Sequence, residues 1–191
     1  METNRTVPNS TYRMQLHGGF TFDDAAAWMP YLHSLGVTHL FCSPILQASP
    51  GSTHGYDVVD HSRISEECGG EEAFQRLSQA AHEQGIGVVV DVVPNHMAVP
   101  TPIWHNHALW DVLRRGPESE YANWFDLDMT DSQTILMPVL GNRIGQELEH
   151  INLTTDIING EEQPVVTYHD HAFPVRPGTE DLPLEELLER Q

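Results

Sequence analysis

Asp91-Val92-Val93-Pro94-Asn95-His96 closes the apolar run Ile86-Gly87-Val88-Val89-Val90, and that junction decides how the chain is read. A run of branched residues after Gly85 reads as a strand buried on both faces, as in a parallel sheet covered by helices. A carboxylate, an amide and an imidazole appear where the run stops. In barrel folds the carboxyl ends of the strands are where active sites are built. On spacing alone a second reading stays open, in which Asp91 and Asn95 only make turn hydrogen bonds before a loop.

Working outward, the order is strand, helix, strand, helix, strand. Tyr12 to Leu16 is a short first strand. Thr21-Phe22-Asp23-Asp24 is a capping-box signal, and Ala25, Trp28, Leu32 and Leu35 follow at helical spacing up to Gly36. Pro30 falls inside that helix and predicts a kink. The second strand is Val37 to Cys42. A long polar stretch from Ser43 to Gly70 comes next, of the kind that in a compact domain is functional or disordered. Glu71 to Gln84 reads as the second helix, with Phe74, Leu77, Ala80 and Ala81 on one face, and Ile86 to Val93 as the third strand. The class is therefore α/β.

After His96 the pattern changes. Residues 97–176 read as a smaller irregular subdomain inserted after the third strand, with a helix from Trp104 to Arg115 and strands at Thr134 to Leu140 and Pro164 to Tyr168. Residues 177–191 read as the start of a helix cut short after about two turns. With three strands in view, residues 1–96 are expected to be the N-terminal part of an eight-stranded barrel, and the chain to continue in a longer protein.

The bulk numbers bound the partners. Among 191 residues, 9 Lys and Arg stand against 28 Asp and Glu, a formal net charge of −19. Such a field repels phosphate backbones and anionic lipid, which argues against nucleic acid or membrane as the main partner. No stretch reads as a signal peptide or a bilayer span, so the cytoplasm is the expected address. Cys42 and Cys68 then read as reduced, buried thiols.

The connection after the second strand holds His54-Gly55-Tyr56-Asp57. Gly55 permits a tight turn or a close approach, and Tyr56 offers a flat ring with a polar tip. An aromatic face of this kind stacks on a sugar ring while carboxylates and amides bind its hydroxyls; a Tyr that merely anchors a surface loop is the alternative. The pairs His105/His107 and His169/His171 have the spacing of metal ligands on a strand, but no third and fourth ligands are evident, and no metal is expected. Trp104, Trp110, Trp124 and Phe125 read as the core of the inserted region before sugar-stacking rings.

Four stretches taken together, Thr11 to Leu16, Ser43 to Ala48, Pro50 to Asp57 and Asp91 to His96, resemble the α-amylase family of glycoside hydrolases and transferases. With Asn123 to Asp128 and Met137 to Gly141, the resemblance narrows to the maltooligosyltrehalose synthase branch and runs from about Asn9 to Gln191. It implies a (β/α)8 barrel acting on maltooligosaccharide or other α-1,4-glucan, without a cofactor. Tyr56 would stack on the glucose at subsite −1 and His96 would bond its 6-hydroxyl. Asp91 and Asn95 would hold the loop, and Asp57 and His54 would line the site wall. The implied chemistry is retaining glycosyl transfer, converting the reducing-end α-1,4 linkage to an α,α-1,1 linkage with water excluded. The nucleophile and the acid/base belong to later strands, so no catalytic residue is expected in this chain; Asp126, Asp128 and Asp131 are not substitutes. A hydrolase of the same family and a catalytically dead glucan-binding remnant are the alternatives.

Overall fold

The structure, a computed structural model, describes residues 7–127 and 135–190. The chain divides into two compact units, Met1–Ala98 and Val99–Gln191.

In the first unit β1 (Thr11–Met14), α1 (Phe22–Ala27), α2 (Met29–Ser34), β2 (His39–Cys42), β3 (Leu46–Ala48), β4 (Val58–Ile64), α3 (Gly70–Glu83) and β5 (Gly87–Val90) follow one another. β1, β2 and β5 form a parallel sheet in the order β1-β2-β5, with Met14 beside Cys42 and Cys42 beside Val90. Alternation sorts their side chains. Met14, Leu40 and Cys42 are buried, and with Val88 and Val90 they pack against Phe22, Met29 and Leu32 of the first two helices and Leu77 of α3. Removing these side chains from water supplies roughly 1.5–3 kcal/mol apiece before chain entropy is set against it. The other face carries Arg13, Phe41 and Val89. Val89 is 36% exposed, so β5 is covered on the helix face only, where the sequence predicts burial on both. The apolar run is compatible with two covered faces, but one layer of helices covers only one.

Helix starts follow local chemistry. The Thr21 hydroxyl accepts from the Asp24 N–H and the Asp24 carboxylate accepts from the Thr21 N–H, closing the capping box. The single kinked helix expected around Pro30 is instead two helices that break at Trp28, with Pro30 in the first turn of α2. There its missing N–H costs nothing, whereas inside a continuous helix it would orphan a carbonyl. Arg76 of α3 grips Asp23 of α1 with two hydrogen bonds of 2.7 Å. The Ser43 to Gly70 stretch is no open loop: β3 and β4 pair antiparallel within it, with register shifts at Gln47.

The second unit contains α4 (His107–Arg115), α5 (Ile144–Glu147), β6 (Ile151–Ile158), β7 (Glu161–Tyr168), β8 (His171–Pro174) and α6 (Leu184–Arg190), with short 3-10 turns between them. β6, β7 and β8 form an antiparallel sheet in that order. Ile103, Leu109, Trp110, Ile158 and Val165 are buried together, and Ile151, Val166, Tyr168, Val175 and Leu187 form a second cluster. Leu187 places α6 in that cluster, so the last helix packs within this unit. The strand predicted at Thr134 to Leu140 is absent: 135–140 are irregular, and Thr134 lies outside the described residues, as do Asp128 and Asp131.

Candidate functional site

The carboxyl ends of β1, β2 and β5 are stitched together. Ser43, fully buried just beyond β2, donates its N–H to Met14 O and accepts the Leu16 N–H at 2.8 Å on its hydroxyl. The Asp91 N–H reaches Cys42 O at 3.1 Å, extending the parallel ladder by one residue past β5. Asp91 therefore emerges on the face shared by Arg13 and Phe41, at the rim.

The Gly55 turn brings Tyr56 to the same rim. Gly55 has φ +77°, and a Cβ added there would lie 2.8 Å from the Pro44 carbonyl oxygen. Only glycine meets both conditions. Behind it, the Ser52 hydroxyl bonds the Asp57 carboxylate, and the Gly55 N–H donates to Ser52 Oγ at 3.1 Å. The Ser49 N–H donates to the Asp57 carbonyl at 3.0 Å, tying off the loop.

All six predicted site residues fall in this constellation. The Tyr56 hydroxyl donates to Asp91 Oδ2 at 2.5 Å. The Tyr56 carbonyl lies 3.2 Å from His96 Nε2, within hydrogen-bond reach of the Nε2–H tautomer. His96 Nδ1 faces the Asn95 side-chain amide at 3.2 Å. The Tyr56 N–H donates to His54 Nδ1 at 3.1 Å, with the two rings stacked at 27° and 6.1 Å between centroids. His54 and Asp57 approach to 3.6 Å. Asn95 and His96 are exposed, while Tyr56, Asp57 and Asp91 are half-buried. The loop carrying Asn95 and His96 is anchored at both ends, by the Ala98 N–H on Val58 O at 2.8 Å and by His61 Nε2 beside Val93 O at 3.2 Å.

Two residues given no role above join the constellation. Arg13 donates from Nη2 to the Tyr56 oxygen at 3.3 Å and from Nη1 to Gln15 Oε1 at 2.8 Å, and Gln15 Nε2 donates to Thr53 O at 3.1 Å. Period-two spacing at the end of a strand places 13 and 15 on one face, which was the available signal.

Neither histidine pair lies along one strand: His105 and His107 are in helical turns, and of the other pair only His171 is in a strand, at the start of β8. Asn106 is the N-cap of α4, between His105 of a 3-10 turn and His107, and the His169/His171 pair straddles the β7–β8 turn. Among the described residues no group of three or more His, Cys, Asp or Glu side chains is placed to hold a metal. Trp110 is buried against Trp104 edge to face, and Phe125 packs on the same cluster, whereas Trp124 is 57% exposed.

The alpha amylase catalytic domain family matches residues 24–156. The chain belongs to the alpha-amylase family. Within that family, the structure of maltooligosyltrehalose synthase from Arthrobacter ramosus is 45% identical, with a TM-score of 0.84, over 96% of this chain and 23% of its own. A Mycobacterium tuberculosis protein that carries the name maltooligosyl trehalose synthase is 42% identical over 90% of this chain. Neopullulanase 2 of Thermoactinomyces vulgaris is 40% identical over 52% of it. The chain spans 22% of the length of the curated synthase relatives it matches. In this alpha-amylase-family chain, β1, β2 and β5 with their helices are the first βα units of the family's barrel, and β3 and β4 lie in the connection after the second of them.

Proposed function

We propose that this chain supplies the subsite −1 sugar platform of an α-amylase-family enzyme acting as a maltooligosyltrehalose synthase. The observation that carries the reading is the Tyr56–Asp91 hydrogen bond, with His96 held against the Tyr56 carbonyl at the carboxyl ends of three parallel strands. Tyr56 presents its ring to the apolar face of a glucose, and Asp91 fixes that ring by its tip. His96, exposed beside it, hydrogen-bonds a sugar hydroxyl in exchange for one of its two long contacts, 3.2 Å to Asn95 and 3.2 Å to the Tyr56 carbonyl. Asn95 orients His96; Asp57 and His54 shape the wall.

Asp91 accepts from the Tyr56 hydroxyl and in this reading supports the ring. The nucleophile and the acid/base of retaining transfer come from residues outside this chain. The substrate is a maltooligosaccharide and the product carries a terminal α,α-1,1 linkage. Neither nucleic acid nor membrane is a partner, in keeping with the −19 net charge. Unpaired buried thiols at Cys42 and Cys68 fit a reducing compartment, the cytoplasm.

The test uses purified 191-residue chain and maltoheptaose. Ligand-induced NMR shifts should saturate, should be lost in Tyr56→Ala and weakened in His96→Ala, and no product should form. Clear turnover would refute the assignment of the catalytic groups. If turnover gave free glucose or maltose, the hydrolase reading would replace the synthase one.

A further inference from the structure

We propose that Arg13 is a positioning residue of the sugar platform, acting through the phenolic oxygen of Tyr56; this rests on the reading of Tyr56 as the stacking ring. A phenol has one proton to give and two lone pairs to receive with. In this chain the proton goes to Asp91 Oδ2 at 2.5 Å, and a guanidinium N–H of Arg13 donates to the same oxygen at 3.3 Å. The tip of the ring is thereby held between an anion and a cation. Two contacts at one atom restrain the ring more than either alone, and so limit its tilting away from a sugar.

Arg13 itself is fixed. β1 and β2 pair with Arg13 opposite Phe41, and the guanidinium carbon sits 5.8 Å from the Phe41 ring centroid. That cation–π contact helps hold the guanidinium beside the ring. The second arm of the fork runs from Nη1 to Gln15 at 2.8 Å and on to the Thr53 carbonyl at 3.1 Å. One side chain thus ties the 53–56 turn at two points, directly at Tyr56 and through Gln15 at Thr53. A lysine has a single point of donation and cannot span both acceptors in the same geometry. The arrangement explains a cation at the end of β1 in a strongly acidic protein that needs no positive charge for a neutral substrate.

The experiment is a double-mutant cycle on maltoheptaose affinity, read by NMR titration of the whole chain, with thermal melts alongside. Tyr56→Phe keeps the ring and removes the oxygen; Arg13→Met keeps the packing on Phe41 and removes the fork. Arg13→Met is expected to weaken binding about tenfold, the loss of one charge-assisted hydrogen bond at Tyr56, and Tyr56→Phe at least as much, since it removes the contacts to both Asp91 and Arg13. The losses should be less than additive in the double variant, because both changes remove the Arg13–Tyr56 contact; any loss beyond that of Tyr56→Phe belongs to the Thr53 arm. Arg13→Lys should recover only part of the loss. Equal affinity of Arg13→Met and wild type, or strictly additive losses in the cycle, would overturn the role of Arg13 while leaving the platform reading in place. If Tyr56→Ala bound as well as wild type, the platform reading itself would fall and this proposal with it. Should Arg13→Met melt early, Gln15→Leu cuts the Thr53 arm alone; it must then weaken binding without lowering the melting temperature, and unchanged binding would count against the proposal.

Discussion

Replacing Gly55 by alanine should destabilise the first unit by more than the same change at two glycines of like conformation. Gly55 has φ +77°, Gly36 +76° and Gly85 +67°. An L-residue in that region costs roughly 1–2 kcal/mol, and the alanine recovers about 0.4–1 kcal/mol by restricting the unfolded chain. Both effects are shared by the three sites. The sites differ in what the new methyl meets. At Gly36 and Gly85 nothing lies within 4 Å, whereas at Gly55 the Cβ would sit 2.8 Å from Pro44 O and 3.4 Å from Pro44 Cβ. That oxygen is backbone and Pro44 is buried, so relief requires the chain beyond β2 to move. An overpacked contact of this kind costs roughly 1–3 kcal/mol. Gly55→Ala is therefore expected to exceed Gly36→Ala and Gly85→Ala by that margin. Urea unfolding followed at the amides of β1 and β2 reports on the first unit, and slopes must match before midpoints are compared. The strain should also be local, with chemical-shift changes concentrated at Tyr56, Asp91 and His96. A Gly55→Ala variant within about 0.5 kcal/mol of the other two would refute the close-approach argument, since that is the scatter expected of independent sites.

Glu147 is buried in the second unit, and hydrogen bonds from the Asn142 amide at 2.9 Å and the Tyr168 hydroxyl at 3.0 Å hold its carboxyl below the usual carboxylate range. A depressed folded value means stability that is present above the unfolded pKa of about 4.5 and lost as pH falls through the folded one. Melts of the second unit between neutral pH and pH 3 should show that loss, and Glu147→Gln should flatten it; an unchanged pH profile in the variant would contradict the assignment. Burial pushes the Cys42 thiol up to about 12 and raises that of Cys68 as well. Both should resist alkylation at pH 8 in the folded chain and react at once in urea, and rapid labelling of native protein would show the packing around them to be wrong. Thr21→Ala should cost about 1 kcal/mol by opening the α1 capping box, with circular dichroism melts as the check; no change would mean the reciprocal bonds contribute nothing net.

The alternating strands and helices of the first unit were legible because their signals are local. A capping box needs Thr21 and Asp24, a stop needs Gly85, and a buried strand announces itself by Val88 to Val90. β6 escaped because only its end residues Ile151 and Ile158 are buried, so its sequence carries no period-two pattern. The β3–β4 pair escaped for a different reason. β3 has three residues, its register slips at Gln47, and its partner runs through the polar Asp60-His61-Ser62-Arg63.

Sequence by itself determined the α/β order, the acidic field that narrows the partners, and the identity of six candidate side chains. What it could not determine was how they meet. Tyr56 and Asp91 stand 35 residues apart and Arg13 and Tyr56 43 apart. Their contact depends on parallel pairing that sets Arg13 beside Phe41 and Cys42 beside Val90. A hydrogen bond is decided over tenths of an ångström, and that register is reached only when the strands are closed by burial of Met14, Leu40 and Cys42 against the helices. The residue types are local information. The distance between them is a property of the packed sheet.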